Sequence, residues 1–168
     1  MKPGRIYLRN LAVAPRDSLS RYLEGGFAKS DRDVESAMEQ RLREIFTFPP
    51  AEPGKARPTD RHIDISIRRW STGCVAFFGL PMIWRPKICL EARLYSPLDE
   101  KMRATVSATD SMRWSEIGRE FLSSGRLSYF PTAFAARSAE EKMLVLLNRA
   151  SIALLERLTQ LERKRFGA

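Results

Sequence analysis

The sequence is poor in the residues that carry most side-chain chemistry, with one histidine and two cysteines among 168 residues. A Ser-His-acid or Cys-His catalytic arrangement would have to use His62, and no nucleophile elbow lies near that residue. Metal-binding spacings such as Cys-x-x-Cys and His-Glu-x-x-His are absent from the sequence. We therefore expect a noncatalytic protein that needs no metal and no cofactor, since an enzyme would require carboxylates assembled from distant loops.

The sequence also lacks a long hydrophobic run. No stretch approaches the roughly 18 to 20 apolar residues that span a bilayer. The first residues, MKPGRIYLRNLAVAP, enter a predicted strand almost at once and contain no hydrophobic region of a signal peptide. These observations are compatible with a cytoplasmic protein and with an exported chain whose signal has been removed.

Positive charge is in excess, with a formal net charge of +9 at pH 7. Such a charge favours anionic surroundings, which include nucleic acid, lipid headgroups and polyanionic glycans. The basic residues are scattered along the chain, and the tightest cluster is Arg163, Lys164 and Arg165 at its end. Scattered basic residues indicate a solvated surface more often than a nucleic-acid stripe, which usually interleaves aromatic residues with the charge.

Hydrophobic periodicity predicts three consecutive strands with one buried face each. Apolar residues alternate with polar ones from His62 onward, again from Lys87, and a third time from Lys101. A sheet of this kind has one covered face and one polar face. The predicted buried residues are Ile63, Ile65, Ile67, Ile88, Leu90, Ala92, Leu94, Met102, Ala104, Val106 and Ala108.

A strand is predicted over residues 5–14, and helices over residues 30–46 and 138–163, where apolar residues recur at helical spacing. Residues 48–60 form a proline-rich loop, and residues 109–137 form an irregular excursion before the second helix. The order β-α-β-β-β-α predicts a single α+β domain over residues 1–168. Its expected form is a two-layer sandwich, an antiparallel sheet of about four strands with both helices on one face.

The two cysteines fall at equivalent positions of neighbouring predicted strands. By the alternation of buried residues, Cys74 and Cys89 both project from the polar face of the sheet if no bulge intervenes. A cross-strand disulfide between them is then geometrically possible, and it would imply an oxidising compartment. Two free thiols are the alternative, because Gly73 could introduce a bulge and change the register.

Between the cysteines lies the largely apolar segment 75–84, VAFFGLPMIW. Gly79 and Pro81 break this segment into the two arms of a hairpin. Its side chains either fold back onto the domain or remain available for a partner or a lipid. For the second case the predicted contact residues are apolar at the tip and basic around it, namely Phe77, Phe78, Leu80, Met82 and Trp84 with Arg68, Arg69, Arg85 and Arg93.

The segment GLPMIWRPKICLEARLYSP, together with this order of strands and helices, resembles small lipoproteins of the Gram-negative envelope. The LPS-assembly lipoprotein and the auxiliary lipoproteins of transport systems are of this kind. The resemblance implies a noncatalytic accessory protein of the periplasm or outer membrane, which binds an envelope protein or an anionic lipid or glycan. It identifies no functional residues.

An alternative prediction is a cytoplasmic module that binds nucleic acid through the polar face of the sheet. Basic side chains would contact phosphates and aromatic side chains would stack on bases. The residues predicted for this role are Arg68, Trp70, Arg93, Tyr95 and Arg103.

Overall fold

The computed structural model describes residues 5–15, 31–50, 57, 59–72, 74–77, 80–83, 85–116, 119 and 137–166. Six strands and two long helices lie in these ranges. In chain order they are β1 (Ile6–Val13), α1 (Asp31–Ile45), β2 (Arg61–Ser71), β3 (Cys74–Phe77), β4 (Leu80–Ile83), β5 (Lys87–Tyr95), β6 (Met102–Ser111) and α2 (Arg137–Phe166).

The α+β prediction is confirmed by a four-stranded sheet in the order β1-β2-β5-β6, with both helices packed on one face. The expectation that all its strands are antiparallel is wrong for β1, which pairs with β2 in parallel. The physical reason is the connection between them. A chain that leaves one strand, forms a helix over the sheet and returns to the neighbouring strand makes a crossover, and a crossover produces parallel strands.

Asp60 fastens the start of this parallel pair. Its carboxylate accepts hydrogen bonds from the backbone N–H groups of Arg5, at 3.0 Å, and Arg57, at 2.8 Å. These bonds lower the pKa of the Asp60 carboxyl below its ordinary value, with Arg5 the larger cause. The backbone N–H of Arg61 donates in turn to the carbonyl oxygen of Arg5. The beginnings of β1 and β2 are thereby held side by side.

The hydrophobic core lies between the sheet and the two helices, as the periodicity predicts. The predicted isoleucines of β2 are buried, and so are the predicted apolar residues of β5. The helices bury complementary apolar side chains, which are Val34, Met38 and Leu42 from α1 and Met143, Leu146, Leu147, Ala150, Leu154 and Leu158 from α2. Burial of this apolar surface is the main favourable term in the folding free energy.

Strand β6 follows the predicted alternation less closely. Ala108 is buried, whereas Ala104 and Val106 are half-buried and Met102 is exposed. The register with β5 shifts at this end, since Leu94 is opposite Ala104 but Tyr95 is opposite Met102, so Arg103 interrupts the alternation and Met102 does not share the core-facing side of Ala104. It also continues to Ser111, past the predicted boundary at residue 109, and most of the predicted irregular excursion lies outside the described residues.

A β-bulge in β2 changes which residues face the core. The register with β5 shifts between Ile67 and Arg69, so the side chain that reaches the core next is Trp70. Its indole N–H donates a 3.0 Å hydrogen bond to the carbonyl oxygen of Ala14, just after β1. The predicted role of Trp70 in stacking on nucleic-acid bases is therefore wrong, because its ring is 2% exposed.

Of the two alternatives for the cysteines, the structure favours the free thiol at Cys89. Cys89 is a free thiol and lies opposite Arg69, while β2 ends at Ser71. Cys74 begins β3, which pairs only with β4 in a separate two-stranded sheet, opposite Ile83. The strands do not continue as one long hairpin, so the backbone does not bring Cys74 across from Cys89. A disulfide between these residues would need a different strand register.

Neither long helix combines the length and the apolar composition that crossing a bilayer requires, among the residues that the structure describes.

A salt bridge joins the turn after β6 to α2. Arg149 contacts the carboxylate of Glu116 at 2.6 Å, and the backbone N–H of Arg113 donates to the same carboxylate at 2.8 Å. The hydrogen bond from Arg149 is the main cause that lowers the pKa of Glu116 from 4.5 to about 2. The ionised carboxylate is thus stabilised by folding.

This pKa shift predicts a pH dependence of stability. Because the folded pKa lies below the unfolded one, the contribution of Glu116 is present above pH 4.5 and is lost as the pH falls towards 2. We expect Glu116→Gln to remove this part of the acid-induced loss, which urea unfolding curves between pH 7 and pH 2 would measure. If the pH profiles of the variant and the wild type run parallel, the salt bridge contributes nothing measurable.

Candidate docking surface on the open sheet face

One face of the four-stranded sheet packs on the helices, and the opposite face, here called the open face, carries polar and charged side chains. The alternation along β5 assigns Lys87, Cys89, Glu91, Arg93 and Tyr95 to this face, because Ile88, Leu90, Ala92 and Leu94 enter the core. The register extends the open face to the neighbouring strands, with Arg9, Asp64, Arg68, Arg69, Thr105, Ser107 and Thr109.

The bulge in β2 concentrates positive charge on the open face. In a regular strand Arg68 and Arg69 would project to opposite sides of the sheet. Because the bulge adds one residue, Arg69 lies opposite Cys89 on the open face while Arg68 reaches Glu91 on the same face. Both arginines are exposed. The guanidinium groups of two consecutive residues therefore lie on the same side of the sheet.

Glu91 is at the centre of the open face and holds two arginines. Its side chain is 5% exposed, and its two oxygens bind different guanidinium groups, Arg68 at 2.9 Å and Arg93 at 2.7 Å. The hydrogen bond with Glu91 is the main cause that raises the pKa of Arg93 above its ordinary value. One negative charge thus orders two positive ones, and the group keeps a net positive charge.

A second group of interacting side chains, centred on Arg9, lies at the β1 side of the open face. The guanidinium of Arg9 sits 4.6 Å from the centre of the Tyr95 ring and 3.7 Å from a carboxylate oxygen of Asp64. Beside it, the rings of Tyr7 and His62 make an edge-to-face contact with centroids 6.4 Å apart. The aromatic faces at this end are thus engaged by neighbouring side chains of the same sheet.

Two cations of the open face have no partner among the described residues. Arg69 and Lys87 are both exposed, and neither side chain makes a hydrogen bond or an ion pair within the described ranges. They lie on adjacent rows of the sheet, since Arg69 is opposite Cys89 and Lys87 is opposite Ser71. The register assigns five of the described cations to this face, Arg9, Arg68, Arg69, Lys87 and Arg93. Two described carboxylates of the same face, Asp64 and Glu91, offset them. Arg103 binds Asp99 at 2.8 Å in the β5–β6 turn.

The structure places the four predicted arginines at different points of this surface. Arg68 and Arg93 meet at Glu91, and Arg69 lies beside them without a partner in the described part of the chain. Arg85 is exposed and donates to the carbonyl oxygen of Met112 at 2.8 Å and to the hydroxyl of Ser111 at 2.9 Å. These two hydrogen bonds link the start of β5 to the end of β6.

The predicted apolar tip is described only in part. Phe77, Leu80 and Met82 belong to the β3–β4 pair, where Phe77 is opposite Leu80. Phe78 and Trp84 lie outside the described residues. Whether the tip is core or contact surface therefore stays a prediction.

The sequence did not lead us to Glu91, whose carboxylate binds two arginines of the open face. Its odd position between Cys89 and Arg93 indicated a polar-face residue with one neighbouring cation. Its contact with Arg68 depends on the register between β2 and β5, which the alternation alone does not predict. Among the described residues, no three His, Cys, Asp or Glu side chains come together in a way that could hold a metal ion.

Comparisons with known proteins give distant structural similarities only. No family model matches the sequence, and no curated protein matches it. Among solved structures, the chain is similar to protein XCC0632 from Xanthomonas campestris, of family DUF330, with 14% identity over 96% of this chain and 91% of the other and a TM-score of 0.43. The hypothetical protein CT253 from Chlamydia trachomatis shares 10% identity over 93% and 95% of the two chains, with a TM-score of 0.40.

A third similar structure is lipoprotein GNA1162 from Neisseria meningitidis, with 12% identity over 74% of this chain and 96% of the other and a TM-score of 0.29. Identities and scores this low assign neither a family nor a function to the chain. The charged open face is the feature from which its role must be inferred.

Proposed function

We propose that this chain is a noncatalytic accessory protein of the Gram-negative cell envelope, and that its open face binds an acidic surface of a partner protein. The observation that carries the proposal is the surplus of ordered cations on one sheet face. Arg68 and Arg93 are held in place by Glu91. Beside them lie Arg69 and Lys87, whose side chains have no partner in the described part of the chain. Arginine is enriched at protein interfaces because its planar guanidinium binds carboxylates with two parallel hydrogen bonds.

The spacing of the cations favours a protein partner over a lipid headgroup. A single headgroup would be held by donors that converge on one point, whereas these cations are distributed over strands β1, β2 and β5. A flat surface with distributed charge matches the area of a protein interface, about 800 Å² on each partner. Complementary charge would chiefly accelerate association and select the partner.

The aromatic residues of the open face support a protein partner over nucleic acid. Single-stranded nucleic acid is bound by aromatic rings with free faces on which bases stack. Trp70 is buried in the core, and Arg9 covers the ring of Tyr95.

The envelope location in this proposal is supported by the resemblance of the segment around GLPMIWRPKICLEARLYSP to small envelope lipoproteins. It has a direct test in cell fractionation of the protein expressed from its own gene. Recovery with the periplasmic or outer-membrane fraction is expected. Recovery with the cytoplasmic fraction, bound to nucleic acid, would refute the location and favour the alternative.

Charge reversal on the open face tests the binding surface. We expect Arg68→Glu with Arg69→Glu to lower crosslinking from a photoreactive residue at Thr105 to an envelope protein in the native bacterium by at least about tenfold, since two attractive contacts become repulsive. The matched control is Arg32→Glu with Lys164→Glu, which makes the same change of net charge at exposed positions near the start of α1 and the end of α2.

Two purified probes complete this test. Generic RNA and vesicles that contain phosphatidylglycerol should bind the open-face and the control variants equally weakly, because general charge attraction does not depend on one face. If RNA or vesicle binding falls only in the open-face variant, the partner is nucleic acid or lipid and not a protein. Equal loss of crosslinking in both variants would show that total charge, and not the open face, determines binding.

A further inference from the structure

The long helix α2 has a second apolar face that the domain does not cover. Val145, Ile152 and Leu155, here called the α2 stripe, are 43%, 60% and 37% exposed. Val145 and Ile152 are seven residues apart and Leu155 follows three residues later, so all three lie along one side of the helix. The buried residues Leu147 and Leu154 occupy the opposite side. The structure therefore divides the apolar residues of α2 into a core face and an exposed stripe.

The charges along α2 determine what kind of partner fits the stripe. Two exposed charged residues of α2 lie on the same side as the stripe, Glu141 one turn before Val145 and Arg163 three turns after Ile152. Each is eleven residues from Ile152. A second copy of the same helix laid antiparallel on the stripe would therefore place Glu141 of each copy against Arg163 of the other, whereas a parallel arrangement would oppose like charges.

We infer that the α2 stripe is a homodimer interface, in which two copies of the chain pack their α2 helices antiparallel with Ile152 near the two-fold axis. The contact is self-complementary, as two-fold symmetry requires. The helix has 30 residues and is therefore about 45 Å long, enough for a contact with an apolar centre and a charged rim. Since the open face is on the other side of the sheet, this interface is independent of the proposed function.

Sedimentation velocity over protein concentrations from about 1 to about 500 µM tests the dimer. We expect the wild type to shift from monomer to dimer as concentration rises, and Ile152→Glu to remain monomeric throughout, because two carboxylates would meet at the apolar centre. The control is Leu98→Glu, which changes another exposed leucine, in the β5–β6 turn, and should dimerise as the wild type does. A circular dichroism melt confirms that both variants are folded.

Crosslinking determines the orientation of the helices. In a chain carrying Cys74→Ser and Cys89→Ser, Val145→Cys and Thr159→Cys are made separately and mixed with a short bismaleimide. An antiparallel pair gives the mixed product of the two variants, because residues 145 and 159 lie symmetrically about residue 152. Efficient crosslinking of Val145→Cys to itself would indicate a parallel pair and overturn the proposed geometry.

Two other outcomes would overturn the proposal entirely. A wild type that stays monomeric at every concentration has no such interface. A dimer that survives Ile152→Glu uses another surface of the chain. Loss of dimerisation with intact open-face crosslinking would leave the proposed function standing, and the reverse result would leave the dimer standing.

Discussion

Replacing Trp70 with alanine is expected to lower the free energy of unfolding by about 3 to 5 kcal/mol, the range typical of large aromatic residues removed from a packed core. The side chain is 2% exposed, and its indole N–H bonds the carbonyl oxygen of Ala14. The substitution thus leaves a cavity, breaks the link between β2 and the end of β1, and leaves a carbonyl oxygen without that donor. Urea unfolding monitored by circular dichroism measures the effect.

Two further variants separate these causes. Trp70→Phe keeps most of the apolar volume and loses the hydrogen bond. We therefore expect it to lower the free energy of unfolding by about 1 to 3 kcal/mol. Trp114→Ala is the matched control, because Trp114 is 58% exposed and its removal should change stability by no more than about 0.5 kcal/mol. Equal effects of Trp70→Ala and Trp114→Ala would contradict the bulge, since only the bulge directs Trp70 into the core.

The bulge also marks the limit of what alternation can predict. Up to Ile67 the period-two pattern gives the buried face of β2 correctly, and along β5 it succeeds for the whole strand. One added residue at Arg68 reverses the assignment of every later position in β2. No local composition marks the place, because two arginines and a tryptophan suit an exposed strand equally well. The same shift removes the condition under which Cys74 and Cys89 were expected on one face, namely that no bulge intervenes.

The class of the fold was predictable because it depends on long periodic segments. The direction of β1 was predicted wrongly as antiparallel, although the connection to β2 contains a helix and is of the crossover type. For the candidate site, the sequence indicated the arginines Arg68 and Arg93 but not the carboxylate that joins them. The pairing of Arg9 with Tyr95 depends on strand order, which brings β1 and β5 to either side of β2.

The second large effect is expected from Glu91→Gln, which should lower the free energy of unfolding by about 1 to 3 kcal/mol. The change removes the charge that two arginines share and brings their guanidinium groups together without a counterion. The cost stays below that of a fully buried ion pair, because the side chains of Arg68 and Arg93 are 60% and 44% exposed and can regain water. The control is Glu39→Gln, an exposed helical pair with Arg43, for which at most about 0.5 kcal/mol is expected.

A double-mutant cycle shows whether Glu91 acts by pairing these arginines or only by filling space. In the wild type, Arg68→Ala removes a partner of the carboxylate and should destabilise the protein. In the Glu91→Gln background the same change removes a repulsion with Arg93, so it should be neutral or stabilising, and raising the salt concentration should shrink the difference. If Arg68→Ala has the same effect in both backgrounds, the three side chains are not coupled. The ordered cations on which the proposed binding depends would then be ordinary surface arginines.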